Sequence, residues 1–339
     1  MSLFMDGFDY FNSTTFLRRK WDADSNNPSF TNVGSGVFSY GRGATLDGNY
    51  INKTLPSNWQ TIYLGYHIVF STTLGNDSQK GINILDGTTS QINIRVTSDG
   101  FIKVYRNTTL LATGTHALSP NSTYWFAIKI YIHASAGTVT LNITGPGYDD
   151  VNDINLTGAD TMESANAYAT KIALSDFGAA DIIIDNFHLY DGTDAAPWNA
   201  LIPESRIYFY LPSGDGANTD FTASSGADYA CMDENPTNDD TDYISSATPG
   251  HKNSVVIADI PSVTVNAVNL TAIAKRDDAT ARGLKVFSKI SGTDYLGDEF
   301  LLGASYQVVD KLWLVSPATA AAWGEAEVNA AEWGVTVSS

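Results

Sequence analysis

Several long stretches of the chain alternate hydrophobic with polar residues, which is the pattern of strands that bury one face. Residues 62–70 read IYLGYHIVF and place every second residue, from Ile62 to Phe70, on one side. Residues 124–132 carry the longest such stripe, at every second position from Tyr124 to Ile132. No helical period separates these stretches, so the pattern predicts a sandwich of antiparallel sheets.

Two pairs of these stretches are predicted to be hairpins. The alternation of residues 92–96 stops at the turn-forming residues 98–100 (SDG) and then resumes, which is typical of a tight turn between two strands. The stripe at 124–132 is likewise followed by a turn at 134–137 and by a return strand at 139–143.

The segment 181–192 (DIIIDNFHLYDG) changes parity within one predicted strand. Its isoleucines share one face, whereas Phe187 and Leu189 share the other. A β-bulge near Asp185 and Asn186 reconciles the two halves. We expect Asp185 to anchor this bulge by accepting backbone hydrogen bonds.

The residues that follow predict a domain boundary and a second β-domain. Turn-forming residues and a proline in 191–197 predict the end of the first domain, which gives domains at 1–193 and 194–339. Further strand-like runs lie at 255–260, 263–274, 284–290 and 312–315. Residues 318–333 are rich in Ala and Glu and predict a helix, followed by a short strand at 335–337. The chain is thus predicted to be all-β, with two antiparallel β-sandwich (jelly-roll) domains and a short C-terminal helix.

Composition excludes several classes of function. The chain has 339 residues, 17% of them charged, and a formal net charge of −18, which repels nucleic acid and anionic membranes. Its single cysteine, Cys231, excludes an intramolecular disulfide and a cysteine-based zinc site. The first ten residues lack the basic segment of a secretory signal, and no apolar run is long enough to span a membrane. We expect a protein that is made in the cytosol, stays soluble and neither inserts into membranes nor binds nucleic acid.

Motifs for catalysis are lacking. The sequence contains no Glu-x-Asp-x-Glu run of the kind that β-sandwich glucanases use, no His-x-x-x-His pair and no Gly-x-Ser-x-Gly elbow. We therefore expect no enzyme activity. A depolymerase whose carboxylates converge only in three dimensions stays open as an alternative.

Two acidic clusters are candidates for calcium, the ion that hard oxygen ligands favour. Asp22, Asp24 and Asn26 follow i, i+2, i+4 spacing. The second cluster crowds a predicted loop and consists of Asp233, Glu234, Asp239, Asp240 and Asp242. The alternative for both is a solvated acidic loop, so the expected cofactor is either none or calcium.

Tryptophans near turns or strand ends are candidates for stacking on sugars. Trp125 has the best pattern-based reason, because its parity is opposite to the apolar stripe around it. Trp21 and Trp59 are further candidates. Packing in the core is the alternative for each of them.

Several short motifs carry a resemblance to a known class of protein. Those of the first domain are Phe8-Asp9-Tyr10, Lys20-Trp21, Gly41-Arg42-Gly43 and Ile184-Asp185-Asn186-Phe187 before Asp191-Gly192. Together with the strand pairs, they resemble the concanavalin A-like (lectin/glucanase, laminin G-like) jelly rolls of tailed-bacteriophage virion proteins. The second half resembles the partner region of such proteins at Asp240-Thr241-Asp242-Tyr243-Ile244, at 274–278 and at 322–334.

This resemblance implies a non-enzymatic virion structural protein, exposed on the phage particle and assembled in the bacterial cytoplasm. A tail, tail-tip or tail-fibre component is the first expectation, and a capsid decoration or head-fibre protein is the alternative. A module that binds host surface polysaccharide is a further alternative. The implied partners are other virion proteins and further copies of the chain in a symmetric oligomer such as a trimer.

The C-terminal segment 318–339 is the candidate for contact with those partners. Trp323, Glu327 and Trp333 are its candidate contact residues. The alternative is that this segment only caps an open edge of the second sandwich.

Overall fold

The chain forms two compact units, Met1–Phe209 and Tyr210–Ser339. The computed structural model describes residues 3–9, 17, 20–24, 29–32, 42–178, 181–235 and 237–339. In both units nearly all of the regular secondary structure is β-strand, as the alternating pattern predicts. No helix in these described residues is long and apolar enough to cross a membrane.

The first unit contains two antiparallel sheets, the larger of which we call sheet A. Its described strands are, in spatial order, β13 (Tyr148–Ala159), β12 (Gly137–Gly145), β11 (Thr123–Tyr131), β6 (Thr61–Phe70), β15 (Ile182–Tyr190), β4 (Arg42–Leu46) and β3 (Ser29–Asn32). Strand β1 (Leu3–Asp6) also pairs with β15.

Sheet B is the other sheet of the first unit. Its described strands are, in spatial order, β10 (Thr109–Thr113), β9 (Ile102–Arg106), β8 (Thr89–Val96), β7 (Ile82–Asp86), β14 (Ala169–Ser175), β5 (Tyr50–Trp59) and β2 (Ala23–Asp24). The two predicted hairpins are confirmed as the antiparallel pairs β8–β9 and β11–β12.

The core of the first unit consists of the apolar stripes identified in the sequence. Every second residue from Ile62 to Phe70 and from Tyr124 to Ile132 is at most 1% exposed. The stripe at 92–96 on sheet B includes Ile94, which is fully buried. Each such side chain contributes roughly 1.5–3 kcal/mol of hydrophobic stabilisation, which fixes which face of each strand points inward.

The predicted bulge in β15 is confirmed. The register with β6 shifts between Asp185 and His188, and Asn186 takes a left-handed conformation with φ of 53°. The Asp185 carboxyl group accepts a hydrogen bond at Oδ1 from the Asn186 backbone N–H at 2.6 Å, as expected for an anchor. The bulge lets both parities of this strand stay buried.

The second unit is built around a third antiparallel sheet, sheet C. Its described strands are, in spatial order, β16 (Pro212–Thr219), β19 (Lys252–Ile257), β25 (Glu332–Val337), β21 (Gly283–Ile290) and β22 (Thr293–Leu296), with β23 (Phe300–Leu301) also paired to β21. Two two-stranded ribbons are formed by β17 (Thr222–Ala223) with β18 (Ile244–Ser245) and by β20 (Val268–Ala274) with β24 (Gln307–Trp313). A 3-10 helix occupies Tyr229–Cys231.

The C-terminal helix is shorter than the predicted 318–333. Helix α1 covers only Glu325–Ala330, and the chain then enters β25 at Glu332. This last strand lies between β19 and β21 and pairs with both of them. The end of the predicted helix is therefore part of a strand. Tertiary pairing here overrides helix propensity.

Candidate functional site

The outward side chains of sheet B form a polar surface. They occupy positions of opposite parity to the buried stripes of the same strands. We call this surface the polar face, and its main members are Tyr50, Asn52, Asn83, Asn93, Arg95, Lys103, Tyr105, Lys171 and Ala173.

The register of the strands aligns a row of side chains across the polar face. The row runs through Tyr105, Asn93, Asn83, Ala173 and Asn52, one residue from each of five adjacent strands. With about 4.8 Å between neighbouring strands, the row is roughly 19 Å long.

Two amides of this row are held in fixed orientations. The Asn93 Nδ2 group donates to Asn83 Oδ1 at 2.9 Å and to the Ile82 carbonyl at 3.1 Å. The Asn83 Nδ2 group donates to the Gln79 carbonyl at 3.3 Å. Asn93 is buried and Asn83 is half-buried, so the buried Asn93 amide holds the more exposed Asn83 amide in place.

Arg95 holds one end of the row. Its guanidinium lies 3.7 Å from the centre of the Tyr105 ring, in cation–π contact. It donates to Asn93 Oδ1, to the Asp77 carbonyl at 3.4 Å and to the Asn107 carbonyl at 3.0 Å. Asp77 and Asn107 are both left-handed, with φ of 58° and 49°. Two residues in a sparsely populated conformation thus present their carbonyl groups to one guanidinium, and such conformations often occur at functional sites.

The Asp77 carboxylate ties Lys103 to Tyr105 beside this arginine. It accepts from Lys103 Nζ at 2.7 Å and from the Tyr105 hydroxyl at 2.9 Å. The hydrogen bond to Asp77 raises the pKa of Lys103, so its ammonium stays charged. Burial and the same carboxylate raise the pKa of the Tyr105 hydroxyl, which stays protonated.

The side chains of the polar face differ in their exposure to solvent, and only some of them are accessible to a ligand. Asn93 is 1% exposed, whereas the Lys103 side chain is 25% exposed and Tyr50 is 41% exposed. A ligand would therefore touch Asn83, Lys103, Lys171 and Tyr50, of which Asn83 is held by Asn93 and Lys103 by Asp77.

The outward side of sheet A differs because residues 195–207, which we call the cover segment, lie over it. Three aromatic side chains hydrogen-bond its carbonyl groups: Tyr63 to Asn199 at 3.4 Å, Tyr190 to Ala200 at 2.6 Å and Trp125 to Ile202 at 3.4 Å. This contact places residues after the predicted boundary at 193 in the first unit.

Trp125 is therefore buried, and the prediction of an exposed stacking ring is wrong. Its parity does turn it away from the core, but the ring is 1% exposed beneath the cover segment. It packs edge-on against His67 at 4.9 Å and His188 at 5.7 Å. No sugar can stack on it without displacing the cover segment.

The cover segment also buries titratable groups. Burial lowers the pKa of His188 to about 3. It lowers the pKa of His67 as well, against the opposing effect of Glu204, which accepts from His67 Nε2 at 3.0 Å. Burial, with the nearby Asp9 charge, raises the pKa of Asp185 to about 9.

The other two candidate tryptophans are also buried, which contradicts their expected exposure. Trp21 is 1% exposed and donates from Nε1 to the Asp6 carboxylate at 2.7 Å. Trp59 is 3% exposed and donates to Ser57 Oγ at 3.1 Å. Both follow the alternative of core packing.

Of the first calcium candidate, Asp22 is engaged by other protein groups. The Asp22 carboxylate lies 3.5 Å from Lys53 Nζ and accepts from the Thr54 backbone N–H. The backbone of Asp24 lies in β2, and Asn26 lies outside the described residues.

The acidic residues of the second candidate are held by other protein groups. Asp240 accepts from Lys275 at 2.5 Å and from the Tyr306 hydroxyl at 3.0 Å, and these contacts lower its pKa. Asp242 accepts from the hydroxyl of Ser224 at 2.7 Å. Asp233, Glu234 and Asp239 do not join them: in the part of the chain that the structure describes, no three His, Cys, Asp or Glu side chains form a metal-binding group.

The candidate assembly residues lie inside the second unit. Trp323 and Trp333 are 5% and 4% exposed, and Trp323 donates to the Trp313 carbonyl at 3.1 Å. Glu327 accepts from the Ser316 hydroxyl at 2.6 Å. The expected contact role is therefore contradicted for both rings. The segment is not an edge cap either, because β25 is an inner strand of sheet C.

The polar face was missed by the sequence analysis, although a signal for it exists. Asn83, Asn93, Arg95, Lys103 and Tyr105 stand between the isoleucines and valines that predicted the strands. The same parity argument that singled out Trp125 selects them. Residues of this kind on the open side of a sheet are candidates for binding polar ligands.

Comparisons with known proteins give likenesses of fold. No family model matches the chain, and no curated protein matches it. Among solved structures, the cellulose-induced protein Cip1 is 15% identical over 50% of this chain and 86% of its own, with a TM-score of 0.33. Peanut lectin is 10% identical over 56% of this chain and 97% of its own, with a TM-score of 0.33. The CBM2 module of the Dit protein of Lactobacillus casei BL23 phage J-1 is 14% identical over 57% of this chain and 92% of its own, with a TM-score of 0.31. Such low values assign neither a ligand nor a residue role to this chain.

Proposed function

We propose that the chain is a non-enzymatic glycan-binding protein of a bacteriophage particle, and that glycan binds on the polar face. The observation that carries the glycan part is the row of three amides, one tyrosine and one alanine that the register aligns across five strands of sheet B. The phage part rests on the sequence resemblance to virion jelly rolls.

The chemistry of the polar face suits a ligand rich in hydroxyl groups. The Asn83 Nδ2 group donates to the Gln79 carbonyl group with one N–H and keeps a second N–H, which a sugar hydroxyl can accept. Asn83 is held by Asn93 before any ligand arrives, so little ordering is needed on binding. Tyr50 at the far strand supplies an exposed aromatic ring for apolar contact with a sugar.

In this proposal the polar face binds a glycan but does not hydrolyse it. Glycoside hydrolysis commonly needs two carboxyl groups across the scissile bond. Asp77, the carboxylate beside the aligned row, is already engaged by Lys103 and Tyr105. A digestion assay on bound polysaccharides tests this point, and new reducing ends would contradict it.

The glycan proposal is tested with a pair of matched asparagines. Asn83→Ala removes the half-exposed amide of the polar face, and we expect glycan affinity to fall about fivefold to tenfold. Asn142 on sheet A makes the same kind of contacts, accepting from Asn152 at 2.8 Å and donating to Asp150 at 3.0 Å. Asn142→Ala should leave binding unchanged. Equal losses in both variants, or no binding by the wild type to host envelope glycans, would contradict the proposal.

The particle location is tested by immunogold electron microscopy with antibody against the recombinant chain. Gold at the tail supports the tail component that we favour, which would display its polar face to the host surface. Gold over the capsid would replace the tail component by the head-decoration alternative. Unlabelled particles would overturn the virion role. A symmetric oligomer, such as a trimer, is part of the proposal and is checked by the mass of the chain in solution.

A further inference from the structure

The polar face carries an unusual balance of charge for this protein. The first unit has twelve basic and nineteen acidic residues, so its surface is acidic overall. On the polar face, three cations, Arg95, Lys103 and Lys171, stand against Asp77. Cations are thus concentrated on the surface that is proposed to bind glycan.

Arg95 is a buried charge without a counter-ion. The residue is 7% exposed, and its three hydrogen bonds go to uncharged oxygens, the Asn93 amide and the Asp77 and Asn107 carbonyl groups. Among the described residues, no carboxylate forms an ion pair with it. A buried charge without an opposite charge is unfavourable, so its retention calls for a reason beyond folding.

The neighbouring carboxylate does not cancel this charge. Asp77 is engaged by Lys103 at 2.7 Å, and the ion pair uses up its single negative charge. Arg95, Lys103 and Asp77 together therefore keep one net positive charge. The potential of a half-buried site is screened less by salt than that of an open surface.

Lys171 adds a second positive position. It pairs in register with Leu85, two residues along β14 from Ala173 in the central row. In the part of the chain that the structure describes, its ammonium has neither an ion pair nor a hydrogen bond. Lys171 lies on β14 and Lys103 on β9, and these two strands are three positions apart in sheet B. At about 4.8 Å for each step, the two strands are about 14 Å apart.

We propose that the glycan bound by the polar face is a polyanion, a polymer that carries carboxylate or phosphate groups at intervals along its length. One anionic group lies near Arg95 and Lys103, and another lies near Lys171. Neutral hydroxyl groups between them contact Asn83. This inference rests on the proposed function of the polar face, and it adds the class of ligand.

The test measures affinity by isothermal titration for three probes. Oligogalacturonate carries carboxylates, poly(glycerol phosphate) carries phosphates, and dextran is neutral. We expect binding to at least one anionic probe, weaker binding at higher salt and at least tenfold weaker binding to dextran. The anionic probe that binds identifies which group is recognised.

A pair of lysine variants places the effect on the polar face. Lys171→Gln removes an ammonium without a described partner, so the fold should be kept, and affinity for the anionic probe should fall about threefold to fivefold. Lys129→Gln makes the same charge change on sheet A, where Nζ lies over the Tyr63 ring at 5.4 Å, and should leave affinity unchanged.

The outcomes separate this inference from the proposed function. Dextran binding that equals anionic binding, and that is lost in Asn83→Ala but kept in Lys171→Gln, would overturn the polyanion and leave glycan binding standing. Binding to none of the three probes or to any host envelope glycan would overturn both. Equal losses in the Lys171 and Lys129 variants would show a general charge effect and would also overturn the polyanion site.

Discussion

The two outward faces of the first unit are built on the same kind of antiparallel strand but differ in what covers them. The outward side of sheet A carries aromatic rings and imidazoles, and the cover segment 195–207 seals them. The polar face of sheet B carries amides and cations, and its accessible side chains Lys103 and Tyr50 are 25% and 41% exposed. Aromatic content, which first suggested sugar binding, therefore marks the surface used for folding. The alternating amides mark the surface available to a ligand.

The largest effect on stability is expected in the second unit, where tryptophan side chains are also buried. Ending the chain after residue 317 removes β25 from the middle of sheet C together with Trp323 and Trp333. We expect the second unit to lose its cooperative unfolding and to become sensitive to protease. Glu327→Gln in the full chain keeps an acceptor for Ser316 and should fold normally. A truncated chain that stays folded would restore the assembly role of this segment.

The next effect sets one face of the first unit against the other. Trp125→Ala should lower the free energy of unfolding by about 3–5 kcal/mol, because a large ring is removed from a closed site. Asn83→Ala on the polar face should lower it by about 1 kcal/mol. Urea unfolding of both variants measures the difference. Similar small losses would mean that the cover segment contributes little to stability.

The third effect is a pH dependence that the sealed face should show. His67 and His188 have a lower pKa in the folded chain than the unfolded value of 6.5, so their contribution to stability is complete above pH 6.5 and is lost at lower pH, for His188 as pH falls toward 3. Asp185 has a folded pKa of about 9, so its contribution is complete below pH 3.8 and is lost as pH rises toward 9. Each group changes stability by about 1.4 kcal/mol per pH unit within its window. The first unit should therefore be most stable near pH 6.5.

Asp185→Asn isolates the alkaline side of this profile. The variant cannot ionise at this position, so it should be more stable than the wild type at pH 8 and should lose the decline of about 3 kcal/mol between pH 6.5 and 9. Urea unfolding at several pH values measures it. Glycan affinity should stay constant from pH 6 to 8, because the ammonium of Lys103 remains charged. An unchanged alkaline decline in the variant would assign it to other groups.

The smallest expected effect concerns the edge of the cover segment. Glu204 is 42% exposed and its hydrogen bond to His67 is open to solvent. Glu204→Gln should lower stability by only about 0.2–1 kcal/mol. Hydrogen exchange at the Ile207 amide, which donates to Asn186 at 2.6 Å, reports on opening of the segment. A loss above about 2 kcal/mol would show that this hydrogen bond holds the cover segment closed.

Alternation of residues was sufficient to predict two hairpins of the first unit, β8–β9 and β11–β12, the strands β6 and β15, and the bulge at Asp185. These features depend on neighbours along the chain or on one strand's own faces. The cover segment was not predictable, because turn-forming residues at 191–197 are typical of a linker. Its contacts with Tyr190 and Trp125 use backbone carbonyl groups, which any sequence provides. Parity thus placed Trp125 on the correct side of its strand but could not show what lay over it.

The position of β25 has a consequence for synthesis on the ribosome. Strand β19 cannot gain its inner partner until β25 has been made, roughly 80 residues later, which takes about 4–16 seconds at ordinary bacterial rates of translation. During that interval sheet C has a gap at its centre, with β19 and β21 both open along one edge. The nascent second unit is therefore the stage at which this protein is most exposed to chaperones, to aggregation and to pairing with the wrong strand.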